Sequence, residues 1–310
     1  MGRVLVTPRS LSKDGHPALA DLEEAGYTLV MAAPGKTPSE ADLIAALPGC
    51  EGWLAGVEPV SERALETADR LRIISRNGTG VDNLPLGTLR KRQIKVTRTV
   101  GTNSRSVAEL ALAFIMAGLR QVVWTHTEMV DGAWPRRMGR EISGATIGIV
   151  GLGGIGSELA KMCLALGANV RAHDPFAPQD RLVQESFARV SLEDALAPVD
   201  AVSLHMPMHD DGSPVITADV LSLFAPQTVL VNTARAGLVD EAALLTALGT
   251  NQVAAYLVDV FDIEPPPPSL LLEHPKVVRT SHIGGFTTAA VDRTTELAVR
   301  NLLVGLEASS

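Results

Sequence analysis

Thr146-Ile147-Gly148-Ile149-Val150 runs directly into Gly151-Leu152-Gly153-Gly154-Ile155-Gly156. A short apolar β-type run ends in G-x-G-x-x-G, and a helical pattern follows through Ile155, Leu159, Met162, Cys163 and Leu166 to a stop at Gly167. About twenty residues beyond the glycines, Ala172-His173-Asp174 puts a carboxylate at the end of a second expected strand. Strand, glycines, helix and acid together predict a dinucleotide site. Gly151 permits the tight turn, Gly153 lets backbone N–H groups approach a pyrophosphate, and Gly156 lets helix and strand pack closely. The helix N-terminus adds unpaired donors and the positive end of its dipole.

The same alternation extends in both directions. On the N-terminal side, strands are expected at Arg3–Thr7, Tyr27–Met31, Gly52–Ala55, Leu71–Ser75 and Ile94–Thr97. Helices are expected at His16–Ala25, from Ser39 to Leu47, after Ser61 and at Leu86–Lys91. Asn103–Arg120 reads as a long buried helix, apolar around nearly its whole circumference, that leads into the second domain. Trp124–Glu141 fits neither period and reads as an excursion, either a subunit contact or a cap on its own domain. Six strands are then expected, at Thr146–Val150, Asn169–His173, Asp200–Leu204, Thr228–Asn232, Val253–Val258 and Val277–Thr280, followed by a long helix at Thr287–Leu306 that returns to the first domain. Strands alternating with helices give right-handed crossovers and parallel sheets. The fold class is α/β, with two doubly wound parallel-sheet domains.

Composition narrows the function. The 310 residues suffice for two domains, and 46% hydrophobic against 20% charged residues describes packed cores instead of a disordered chain. A formal charge of −8 with no Lys/Arg run argues against nucleic acid or an anionic membrane as a partner. The longest apolar stretch, Leu110–Leu119, is about half a membrane span. Met1 to Pro8 is too soon broken for a signal peptide. Cys50 and Cys163 offer neither a disulfide framework nor zinc spacing, so no metal is expected and a reducing cytoplasm fits.

In doubly wound sheets, ligands bind beyond the carboxyl ends of the strands. Those ends carry Arg76-Asn77-Gly78-Thr79-Gly80, His205-Met206-Pro207, Asn232-Thr233-Ala234-Arg235, Asp259 with Glu264, and Ser281-His282-Ile283-Gly284-Gly285. A nicotinamide enzyme acting on a hydroxy acid needs a cation for the carboxylate, an acid/base for the hydroxyl proton, and a group that orients the acid/base. Arg suits the first role through its fork, His the second, and a neighbouring carboxylate the third. Both His205 and His282 sit at expected strand ends, and pattern alone does not separate them.

The stretches Ser75–Asn83, Asn103-Ser104 with Val107–Leu110, Gly151–Gly156, Asn232–Glu241, Asp259–Phe261 through Glu264-Pro265, and His282–Gly285 with Thr287 resemble the D-2-hydroxyacid dehydrogenase family, most of all its phosphoglycerate dehydrogenase branch. The resemblance implies a Rossmann NAD-binding domain, residues 100–285, inserted in a flavodoxin-like substrate domain made of residues 1–99 and 286–310. It makes Arg235 the group that binds the substrate carboxylate and polarises the C2 carbonyl, His282 the acid/base, and Glu264 the partner that raises its pKa. Asp174 takes the adenosine ribose hydroxyls. Thr79, Gly151, Gly153, Gly154, Ile155, Gly156, Met206, Thr233, Ala234, Arg235, Asp259, His282, Gly284 and Gly285 fall on the NAD side. Arg76 and the turn Asn77-Gly78-Thr79-Gly80 join Arg235 on the substrate side, the turn through backbone N–H groups. His205 moves to the adenine side.

Departures from the family pattern carry information. The loop after the third strand reads Ala55-Gly56-Val57-Glu58-Pro59, where the phosphoglycerate branch has an Arg for the substrate phosphate, and this argues against a phosphorylated substrate. Gly154 stands where Arg is frequent. The expected activity is hydride transfer between NAD and C2 of a small D-2-hydroxy acid or 2-keto acid, by a homodimer formed through the cofactor domain and the Trp124–Glu141 excursion. Two alternatives share the motifs: a formate dehydrogenase, which pairs its His with Gln where this chain has Glu264, and an NADH-sensing corepressor that acts through protein partners.

Overall fold

The computed structural model describes residues 2–178, 181–182 and 184–308. The chain divides into two compact units, Met1–Asn103 with Thr288–Ser310, and Ser104–Thr287. Each is built on one sheet in which every strand pairing is parallel.

The first unit holds β1 (Gly2–Val6), β2 (Tyr27–Met31), β3 (Cys50–Ala55), β4 (Ile73–Arg76) and β5 (Lys95–Arg98), in the order β2-β1-β3-β4-β5. This is the flavodoxin-like order, with its reversal between β1 and β3. Val4, Val6, Leu54 and Ile73 face the Thr288–Glu307 helix and meet Ala298, Val299, Leu302 and Leu306. On the opposite face Leu5, Trp53 and Ile74 pack beneath Leu43, Leu47, Leu65 and Leu89. Ser39 and Ser61 cap the two helices expected to follow them. The expected His16–Ala25 helix breaks into a 3₁₀ turn, Pro17–Leu19, and a short helix, Ala20–Glu24, because the His16 ring accepts the Ala18 N–H and starts the turn. A further short helix, Arg9–Asp14, was not legible in the pattern.

The second unit holds β6 (Thr146–Val150), β7 (Asn169–His173), β8 (Phe187–Arg189), β9 (Ala201–Leu204), β10 (Thr228–Asn232), β11 (Val253–Val258) and β12 (Val277–Arg279). Their order, β12-β11-β10-β9-β6-β7-β8, places the reversal between β6 and β9. It is the dinucleotide-binding order with one strand added at the β12 edge. β8 is the strand the sequence did not reveal, since Phe187-Ala188-Arg189 has no buried residue and makes no apolar run. The Ser104–Arg120 helix is less apolar than expected: Arg105, Glu109 and Ala113 are exposed, while Val107, Ala111, Phe114, Ile115 and Gly118 are buried. It packs against the Gly154–Ala165 helix and strands β10 and β11.

Trp124–Glu141 is not wholly irregular, since Val122–Val130 is a helix set at 64° to the preceding one, hinged at Gln121 with a left-handed φ of 52°. The two tryptophans of the stretch are placed differently, one inward and one in solvent. Trp124 caps its own unit, packing on the core and donating from Nε1 to Pro275 O at 2.7 Å. Trp134 stands 81% exposed. Among the described residues no single helix is long and apolar enough to cross a membrane.

Candidate active site

Parallel strands deliver all their carboxyl ends to one edge, and the second unit carries its chemistry there. The glycine turn after β6 is sterically forced. Gly151 has φ +95°, and a Cβ on it would lie 2.4 Å from His205 O. A Cβ on Gly156 would lie 1.9 Å from Gly151 O, so the Gly154–Ala165 helix starts closer to the strand than any side chain allows. Gly154 sits beneath Ser104, whose Oγ would be 2.7 Å from an added Cβ and would have to turn away to admit a side chain. At Gly153 an added Cβ meets nothing within 4 Å, so the turn is open where a pyrophosphate would approach.

Asp174, just beyond β7, is bound back to this turn. Its Oδ2 accepts the Leu152 N–H at 2.7 Å, and its Oδ1 accepts the N–H groups of Phe176 (2.8 Å) and Ala177 (3.0 Å). Burial pushes its pKa up, but these three bonds and the Arg189 charge outweigh burial and hold it below the ordinary aspartate value. A carboxylate has about four acceptor positions, so capacity remains for a hydroxyl donor. Two buried polar atoms at neighbouring strand ends, His205 Nδ1 and Thr233 Oγ1, find no partner among the described residues. Glycine cradle, carboxylate and unmatched polar atoms all suit a dinucleotide.

The reactive groups follow β10, β11 and β12. Arg235, in extended conformation after β10, has its carbonyl held by Asn232 Nδ2 at 2.8 Å, and its Nη1 donates to Ala234 O at 2.7 Å. Glu264 Oε1 accepts from His282 Nδ1 at 2.7 Å and from the Phe261 N–H at 3.3 Å. His282 has φ +54°, a costly left-handed backbone for a non-glycine residue. What holds it there is Asp259, buried just after β11. Its Oδ1 takes the Thr280 hydroxyl (2.5 Å) and the Ile283 N–H (2.8 Å), and its Oδ2 takes the Gly284 N–H (2.7 Å). The residues on both sides of His282 are therefore pinned to one carboxylate.

Electrostatics separates the two histidines. The Glu264 hydrogen bond raises the His282 pKa above its ordinary value against partial burial. The charges of Glu264 and Asp259 add to this, and Arg235 opposes it. Burial pushes the Glu264 carboxyl up, but its bond to His282, the His282 charge, the Phe261 N–H and the Arg235 charge together bring it below the ordinary glutamate value. His205 is half-buried, shares a 2.8 Å hydrogen bond between Nε2 and Ser203 Oγ, and is pushed down to about 3 by burial. It stays neutral near pH 7 and is no proton donor.

The family model for the D-isomer specific 2-hydroxyacid dehydrogenase NAD-binding domain matches residues 112–284, more than half of the chain. The chain belongs to that family. It is 37% identical to D-3-phosphoglycerate dehydrogenase of Mycobacterium tuberculosis (strain ATCC 25618 / H37Rv) over 259 residues, covering 83% of this chain and 49% of that protein. The chain thus spans about half the length of the curated relatives it matches. Among solved structures it is similar to the TT0316 protein of Thermus thermophilus, with a TM-score of 0.86 and 33% identity over 99% of this chain and 97% of that one. It is also similar to the NAD-dependent formate dehydrogenase of Staphylococcus aureus in complex with NAD, with a TM-score of 0.83 and 25% identity over 98% and 95%. As a member of the family, the chain takes NAD as its cofactor.

The first unit presents the remaining expected residues at the carboxyl end of β4. Arg76 is buried and donates from Nη1 to Asn77 O at 2.7 Å. The expected donor turn is narrower than the sequence suggested. The Asn77 N–H is taken by Ala55 O (2.8 Å) and the Gly78 N–H by Arg76 O (2.9 Å), so the donors reduce to Thr79 and Gly80. The sequence also missed residues. Arg189 lies beside Asp174 although it is fifteen positions away, and Thr280 completes the Asp259 anchor. The local trace of the first is a lone Arg two residues ahead of Ser191, which caps the Leu192–Leu196 helix.

Asp259→Asn replaces one acceptor oxygen with an NH₂ facing N–H donors, at a cost of about 1–3 kcal/mol. We expect kcat/KM to fall by roughly 10- to 100-fold with circular dichroism unchanged. Full activity in this variant would refute the anchoring role.

Proposed function

We propose that the chain catalyses reversible hydride transfer between NAD and C2 of a small D-2-hydroxy acid or 2-keto acid. The single observation that carries this reading is the His282–Glu264 pair with Arg235 charge-coupled to both partners. The dinucleotide supplies or accepts the hydride. Arg235 binds the substrate carboxylate and faces the C2 oxygen. As that oxygen gains negative charge, the guanidinium stabilises it, an effect typically worth a few kcal/mol. With Nδ1 held by Glu264, His282 exchanges its proton through Nε2, donating it to the oxygen during reduction and recovering it from the hydroxyl during oxidation. Glu264 fits a reaction in which a proton moves, which formate oxidation does not need.

Asp174 is proposed to hold the adenosine ribose hydroxyls and to disfavour a 2′-phosphate. The remaining NAD contacts are proposed at the glycine turn and at Met206, Thr233 and Ala234. A substrate without a phosphate is favoured by the β3 loop. Its Glu58 is only 1% exposed, accepts the Gly56 N–H at 2.9 Å and the Thr7 hydroxyl, and is accompanied by no Arg in that loop. The protein is proposed to work in the cytoplasm, where its buried Cys50 and Cys163 remain thiols.

A panel of glyoxylate, hydroxypyruvate, pyruvate and phosphohydroxypyruvate, each with NADH and NADPH, tests the reading. We expect NADH-dependent reduction of at least one unphosphorylated acid, slower with NADPH, and a kcat lowered by roughly 10²- to 10⁴-fold in His282→Ala. An enzyme that reduces none of the four overturns the reaction. Near-normal kcat in His282→Ala overturns the acid/base assignment.

We further propose a homodimer through the cofactor domain and its Trp124–Glu141 stretch, supported by Val130, Trp134 and Met138, which are 71%, 81% and 93% exposed. The double variant Trp134→Glu/Met138→Glu is expected to sediment as a monomer where the unaltered protein sediments as a dimer. A monomeric unaltered protein contradicts this.

A further inference from the structure

Beyond β7 the chain turns back on itself at Asp174-Pro175-Phe176-Ala177-Pro178, and Arg189, the last residue of β8, closes the turn. Its Nη1 donates to Ala177 O (2.8 Å) and Pro178 O (2.7 Å), and its Nη2 donates to Asp174 O (2.5 Å). Asp174, Arg189, His173, Pro175 and Val190 line a concavity of about 290 Å³ at the carboxyl ends of β7 and β8. The carbonyls held by Arg189 and the N–H groups that grip Asp174 Oδ1 belong to the same short stretch. Arg189 receives Asp174 O and Ala177 O, while Phe176 and Ala177 donate to the Asp174 carboxylate. No hydrogen bond to a carboxylate oxygen is needed from the guanidinium for it to fix where that carboxylate points.

We propose that Arg189 is the positioning residue for dinucleotide selection: by clamping the three carbonyls it holds the Asp174 carboxylate toward the glycine turn, and so sets both NADH affinity and rejection of NADPH. Only a planar fork with several fixed donors spans three carbonyls; a lysine supplies the same charge as a single flexible point. The Arg189 charge lies close enough to Asp174 to favour its ionised form. Charge alone would therefore be conserved by Lys, and the clamp would not.

The inference rests on assigning Asp174 to the adenosine ribose, which Asp174→Ala tests separately: that variant loses NADH affinity if the assignment holds. The experiment is an equilibrium titration of the full chain with NADH and with NADPH, followed by nicotinamide fluorescence. Arg189→Lys is expected to raise the Kd for NADH about tenfold and the Kd for NADPH by less, so that the NADPH/NADH ratio falls at least threefold. In the Asp174→Ala background Arg189→Lys is expected to add nothing, since Arg189 acts through that carboxylate. Unaltered affinities in Arg189→Lys would overturn the clamp. So would an equal loss for both cofactors, which is what a merely structural role gives. A tenfold loss that persists in Asp174→Ala would overturn the route through Asp174, and a larger loss for NADPH would make Arg189 a phosphate contact instead.

Discussion

The hydrogen bond between Glu264 and His282 is the contact on which the site is organised, and it depends on a third residue that holds the chain on both sides of His282. His282 occupies a left-handed conformation that an unsupported chain avoids. Asp259 removes that freedom by taking the Thr280 hydroxyl and the N–H groups of Ile283 and Gly284. A buried carboxylate is stable only when its acceptors are filled, so the residue that orients the loop is itself fixed by the loop. The parallel sheet does the rest, since β10, β11 and β12 are neighbours whose carboxyl ends emerge together.

Charge is placed by the same means. Among the histidines at strand ends, His205 and His282 are given opposite characters through burial and partners. His205 shares its Nε2 with Ser203 Oγ, has no carboxylate hydrogen-bonded to its ring among the described residues, and stays neutral. His282 keeps half its side chain in solvent and a carboxylate on Nδ1, so its protonated form is favoured. In the first unit another carboxylate, Glu58, is folded inward and bound to Gly56 and Thr7 at the reversal of the β2-β1-β3-β4-β5 sheet. Burial raises its pKa, against the hydrogen bonds it accepts and the charge of Arg76.

What the sequence made legible was whatever repeats or is sterically forced. The glycines declared themselves because Gly151 and Gly156 have no room for a Cβ, and eleven of the twelve strands among the described residues lie where the alternation placed them. The catalytic candidates stood at strand ends, where a parallel sheet puts its ligands. The failures share a cause. Choosing between His205 and His282 needed burial, which is a property of the surroundings. The donor turn after β4 looked wholly available because the bonds taken by Ala55 and Arg76 carbonyls are tertiary or local closures without a sequence signature. Arg189 was invisible because its relation to Asp174 exists only after the chain reverses.

Glu264 favours the protonated form of His282. Folding raises the pKa of His282 through that carboxylate, so the imidazolium persists as pH climbs past its ordinary value of about 6.5. Removing the charge should return the ring toward neutrality and move proton loss to lower pH. The direct measurement is an NMR titration of the His282 ring in the unaltered protein and in Glu264→Gln. The account predicts a midpoint above about 6.5 in the first and a clearly lower one in the second. Equal midpoints, or an unaltered protein in which His282 titrates below that value, would contradict it.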